Sequence, residues 1–153
     1  MALDVSTVQA AIIQVLKDNT TTMAGSLTTA SSIVTIMGGD ARSSPTTLDR
    51  YPAIMVKAVA EDEKFNQIGQ RNNMHELQFA IVPLIYESSN AEQSDKDVLV
   101  LTKNIKTVLK SNITLSSTAL WSLPGTVDYF AAELDGIYCS ASIITLRTFH
   151  LST

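Results

Sequence analysis

Apolar residues fall at helical spacing in two stretches of this chain and alternate with polar ones in most of the remainder. In the first stretch, Val8, Ile12, Val15 and Leu16 recur every three to four residues, which places them on one stripe of a helix expected over Ser6–Asp18. Ser6 followed by Gln9 has capping-box spacing, in which hydroxyl and amide satisfy backbone donors left over at a helix start. Asn19-Thr20-Thr21-Thr22 is expected to end this helix, because β-branched and amide residues favour turn or extended backbone. The second stretch, Ser94–Lys110, gathers Val98, Leu101, Ile105, Val108 and Leu109 on one face. Ser94 and Asp97 read as its capped start, and Asp95 and Asp97 meet the positive end of the helix dipole. Lys103, Lys106 and Lys110 lie in its second half, where cations are favourable, and read as a solvated face.

The extended segments are of several kinds. Residues 20 to 50, dominated by Thr, Ser, Gly and Ala, read as a flexible, extended polar arm. Within it Ile33–Met37 has the composition of one short strand, stopped by Gly38-Gly39-Asp40, and Ala41–Arg50 reads as a loop. A strand opens at Tyr51-Pro52, since proline donates no backbone hydrogen bond and belongs at a strand start or edge, and Ile54, Val56 and Ala58 then share a face. Glu61-Asp62-Glu63 and the polar run Asn66–Asn73 are expected to form a long, protruding connection. In the next strand, Met74–Glu87, Leu77, Phe79 and Ile81 alternate with Glu76 and Gln78 before both faces become apolar, and Pro83 predicts a bulge or an edge. Asn112–Gly125, with the single tryptophan Trp121, reads as a loop. Strands over Thr126–Leu134 and Ile137–Phe149 are joined by Asp135-Gly136, a strong hairpin signal. The expected fold class is α+β: a mixed, mainly antiparallel β-sheet of about four to five strands packed against two main helices, in one domain spanning residues 1–153.

Composition narrows the uses of such a fold. At 153 residues and 45% hydrophobic, the chain is long enough to bury a sizeable core. Its net charge of −4 argues against a general phosphate-binding surface, which needs clustered Lys and Arg. The one cysteine, Cys139, excludes an intramolecular disulfide and reads as a small core residue. Met1–Thr7 lacks the basic and apolar segments of a secretory leader, and no apolar run approaches a bilayer span. A soluble protein made in the cytosol is expected, with no membrane contact.

Candidate chemistry is sparse. Gly38-Gly39 lacks the spacing and the lysine of a phosphate loop, and no serine stands in a nucleophile elbow. His75 and His150 have no local metal-ligating partner, and His75 reads as a surface strand residue. Glu133 and Asp135 flank a turn, where acidic residues serve turn geometry. No catalytic residue, no metal and no cofactor is assigned, and the chain reads as a protein that is not an enzyme.

The order of elements carries more. An N-terminal helix, a polar arm, the "YPAIMV" strand, an acidic connection, the "ELQFAIVPLIY" strand, the "SDKDVLVLTKNIKTVLK" helix and a hairpin ending "ASIITLRTFH" follow one another. From Val5 to Phe149 this resembles the tail terminator (tail-completion) proteins of long-tailed bacteriophages, and the wider group of small head–tail joining proteins. The resemblance implies a virion protein at the head-proximal end of the tail, forming a ring, a hexamer, that ends tail-tube polymerisation. Its implied partners are further copies of itself, the tail-tube protein, the head connector, and genomic DNA passing through the lumen without specific binding. On that reading Glu61, Asp62, Glu63 and Lys64 serve either inter-subunit contacts or a lumen that must not trap DNA. The rivals are a tail-tube or head-completion subunit, which particle length separates from a terminator, and a small enzyme or ligand-binding domain, which requires a pocket of convergent polar groups.

Overall fold

Asp4 starts the fold. In this computed structural model, which describes residues 4–27, 33, 35–39, 51–65, 73–86, 91–115, 117–134 and 137–152, helix α1 spans Val5–Lys17. Its first-turn donors are satisfied by Asp4, whose carboxylate accepts from the Ser6 backbone N–H at 3.0 Å and from the Ser6 and Thr7 hydroxyls. These hydrogen bonds hold the Asp4 carboxyl below its ordinary value, with the Ser6 hydroxyl the largest contributor. The Ser6/Gln9 capping box is therefore corrected: Gln9 turns away and its Nε2 donates to the Val56 carbonyl at 2.8 Å. The expected stripe, Val8, Ile12, Val15 and Leu16, is the buried face.

The polar segment that follows is packed where it is described. Helix α1 stops where expected, with Asp18 as its C-cap, and Thr20–Met23 then forms a separate single helical turn, α2, with Met23 and Ala24 buried. Asn104 clamps this turn by donating from Nδ2 to the carbonyls of Met23 and Gly25, each at 2.8 Å. Ile33 joins the core, and Thr35–Gly38 forms strand β1. A Cβ at Gly38 would lie 2.9 Å from the Gln9 amide nitrogen, so a larger residue there would displace that flexible side chain. Residues 40–50 lie outside the described residues.

Four long elements complete the sheet and its cover: β2 (Ala53–Phe65), β3 (Asn73–Tyr86), β4 (Trp121–Leu134) and β5 (Ile137–Ser152), with helix α3 (Ala91–Ser111) between β3 and β4. The strand order is β1-β2-β3-β5-β4, antiparallel throughout except for the parallel β1–β2 pair. The α+β plan is thus observed. Three strand expectations are corrected. Glu61-Asp62-Glu63 continues β2 and does not form a loop. Trp121–Gly125 is the first part of β4, where a bulge between Pro124 and Val127 absorbs the proline and glycine. Pro83 lies in the central strand without a bulge, and the β3–β5 ladder resumes from Ile81↔Ile144 at Leu84↔Ala141 in the same register. The bulge of β2 falls instead at Val59. The Asp135-Gly136 turn lies outside the described residues, flanked by the pair Leu134↔Ile137.

Both long helices cover one face of the sheet, α1 over β1 and β2, α3 over β3, β5 and β4. The main core between them joins Ile54, Val56, Leu77, Phe79, Ile81, Ile144 and Leu146 to the helical stripes. Each such side chain contributes about 1.5–3 kcal/mol on burial. The α3 stripe is the expected one, but the helix begins three residues earlier than its presumed cap. Ser94 is buried inside it and donates to the Tyr86 carbonyl at 3.2 Å, tying α3 to the end of β3. At the centre, the Thr102 hydroxyl donates to the Val98 carbonyl and so accepts from Ser142 on β5, both at 2.7 Å.

Candidate functional site

Strand alternation separates what the sequence groups together. The expected contact residues Glu61, Asp62, Glu63 and Lys64 all belong to β2, opposite Leu77, Glu76, His75 and Met74 of β3. Glu61 shares the helix-side face with buried Leu77, whereas Asp62 lies on the outer face with Glu76. Glu61 and Asp62 are both exposed. The side chains of Glu63 and Lys64 lie outside the described residues. Strand β1 pairs only with Ala53–Val56, so the rest of β2 has no described strand on its outer edge, and Lys57 through Asp62 are exposed.

At the opposite margin, β4 is a 14-residue strand that, among the described residues, is paired on one side only. Its outer face carries Trp121, Leu123 and Phe130, each at least 40% exposed. Trp121 stacks on Phe149 of β5 with centroids 3.9 Å apart. The Arg147 guanidinium lies 5.3 Å from the Phe149 ring centre and is bonded to the buried Glu76 carboxylate, which raises its affinity for the proton. That ion pair offsets the proximity of Asp62 and Glu76, like charges directly opposite one another on the ladder.

On the helix side, β4 and α3 enclose an open groove of about 470 Å³ lined by Leu99, Lys103, Lys106, Lys110, Val127 and Tyr129, among others. Among the described residues none of these three lysines forms an ion pair. Tyr129 is 54% exposed and Leu99 44%. The lysine row, i, i+3 and i+7 along α3, and the strand over Thr126–Leu134 beside it were visible in the sequence; the first part of that strand, Trp121–Gly125, was not, because Pro124-Gly125 reads as punctuation.

The two histidines, distant in sequence, pair directly across β3 and β5. His75 is buried, correcting its surface reading, and its Nδ1 lies 3.8 Å from a Glu61 carboxylate oxygen. His150 Nδ1 donates to the Thr118 carbonyl at 3.2 Å, so the neutral ring accepts at Nε2 from the Thr148 hydroxyl at 2.7 Å. Burial lowers the His150 proton affinity. Such a ring orders a strand end. No cluster of His, Cys, Asp and Glu suited to a metal occurs among the described residues, and Cys139 is buried on the outer face beside Ala53, Met55, Leu84 and Ala141. No described helix is long and apolar enough to cross a membrane.

The arrangement offers edges and faces. No protein-family model matches the chain, and no curated protein matches it.

Proposed function

We propose that this protein is a structural ring subunit of a virion, a tail terminator that ends tail-tube polymerisation and presents a docking face to the head connector. The observation that carries the reading is the edge strand β4, 14 residues long, with no described strand on its far side and with Trp121, Leu123 and Phe130 exposed along its outer face. The bulge after Pro124 blunts this edge only in part, and the large apolar side chains left exposed along it suit a subunit that keeps the margin for a neighbour. The two uncovered margins of the sheet, β4 and the outer half of β2, differ from each other. Contact between unlike surfaces is heterologous, and it closes into a ring when the rotation permits. A net charge of −4 suits a ring through which genomic DNA passes without adhesion.

The test is to add the protein to polymerising tail-tube subunits and to measure tube lengths by electron microscopy. Tubes arrested and capped by one ring support the terminator role. Stacks that keep growing with this protein incorporated make it a tube subunit instead. Tubes unaffected by it defeat the proposal.

A further inference from the structure

We infer that the two margins of the sheet beside which no described strand lies are the complementary halves of one head-to-tail contact: the outer half of β2, with Glu61 on its helix-side face, seats against the lysine-lined groove beside β4 in a second copy. The inference rests on the ring reading above and specifies the contact that builds it. Three observations meet here. First, the strand directions fit. Successive antiparallel pairings β2–β3, β3–β5 and β5–β4 leave β2 and β4 antiparallel to each other. A neighbouring copy laid edge to edge in the same orientation therefore brings its β2 antiparallel to β4, the geometry of an ordinary ladder. Second, the accessible lengths fit. Among the described residues, β1 occupies the edge of β2 only as far as Val56, exposed residues follow from Ala58 to Asp62, and no strand lies on the far side of β4.

Third, the charges are opposite and on the same side. Glu61 stands on the helix-side face of β2, in line with buried Leu77. The groove with Lys103, Lys106 and Lys110 also lies on the helix side, between α3 and β4. Continuing the sheet across the junction thus puts the neighbour's Glu61 on the face that carries the lysines. Three cations without ion pairs among the described residues stand out on a chain with net charge −4, and a carboxylate from a second copy satisfies them. Tyr129 and Leu99, both substantially exposed in the groove, gain cover from the same contact. The occupant is thus a second copy of this chain. A nucleic-acid phosphate backbone is the competing polyanion, and the experiment separates it.

Two variants reverse one half each: Lys103→Glu/Lys106→Glu/Lys110→Glu, and Glu61→Lys. Their masses, and that of an equimolar mixture, are measured by light scattering behind size exclusion across a concentration series, beside the wild type. The wild type assembles, and each reversed variant raises the dissociation constant by about a hundredfold, since like charges then face each other. The mixture regains the wild-type mass, because every junction again pairs opposite signs, and that recovery also shows that both variants are folded. If the reversed variants keep the wild-type mass, this contact is overturned while the ring reading stands. A wild type that is monomeric at every concentration overturns the contact too, and the tube-arrest experiment then judges the ring reading separately. If lysine reversal abolishes binding to a labelled duplex DNA and leaves the oligomer intact, the groove serves a phosphate backbone and the inference fails.

Discussion

Alternate residues of the same strands build two faces of opposite character. Beneath α1 and α3, Leu77, Phe79 and Ile81 of β3 sit in a continuous core with the helix stripes. On the other face the buried cluster is small, Ala53, Met55, Leu84, Cys139 and Ala141, and it gives way along the strands to the Glu76–Arg147 pair and the partly exposed Trp121. The first face accounts for stability, since its area is removed from water within one chain. The second keeps apolar area that only another surface can cover. The division teaches that a sheet with helices on one side has its other side available for assembly.

Substitutions along the two faces test that division. Phe79→Ala, at the centre of the helix-side core, is expected to cost about 3–5 kcal/mol in denaturant unfolding, and a loss below about 1 kcal/mol would mean that this face is not the main core. Trp121→Ala, on the outer face, removes one partner of an aromatic stack and is expected to cost only about 0.5–1.5 kcal/mol in the monomer, while weakening assembly by a larger factor. Equal effects on unfolding and assembly would blur the comparison. The smallest effect concerns pH. His150 has a proton affinity below its ordinary value of 6.5 because it is buried, so on acidification the unfolded chain takes up this proton first. Its contribution is complete above about pH 6.5 and is lost as the pH falls from there toward the depressed folded value. Thermal melts should therefore decline below about pH 6.5, and His150→Gln should flatten that limb; an unchanged profile would show that the ring does not titrate with folding.

Much of the fold was legible because periodicity reports burial directly. The stripes of α1 and α3 emerge residue for residue, and the hairpin strands β4 and β5 flank Asp135-Gly136 as their alternation implies. What was hidden depended on tertiary partners. Asp4 outcompetes Ser6 as the cap because Gln9 finds a better acceptor in Val56, 47 residues away. Glu61-Asp62-Glu63 resembles a loop by composition, yet β3 supplies a ladder that holds it extended. Met23 gives no helical signal alone, but Asn104 fixes its turn from α3. For the proposed contact, the sequence showed the acidic run and the lysine row as separate stretches. Their positions at opposite margins of one sheet follow only from the strand order.

The bulge between Pro124 and Val127 has a consequence for the history of every newly made chain. An open strand of 14 residues is a template on which unrelated extended segments polymerise. Proline offers no donor there and the bulge interrupts the pleat, so the edge is divided into a short run, Trp121–Pro124, and a longer one, Val127–Leu134. Neither presents the full uninterrupted length that fibril growth exploits. The same irregularity that disguised the start of this strand as a loop thus acts as a gatekeeper, protecting an apolar margin from indiscriminate recruitment.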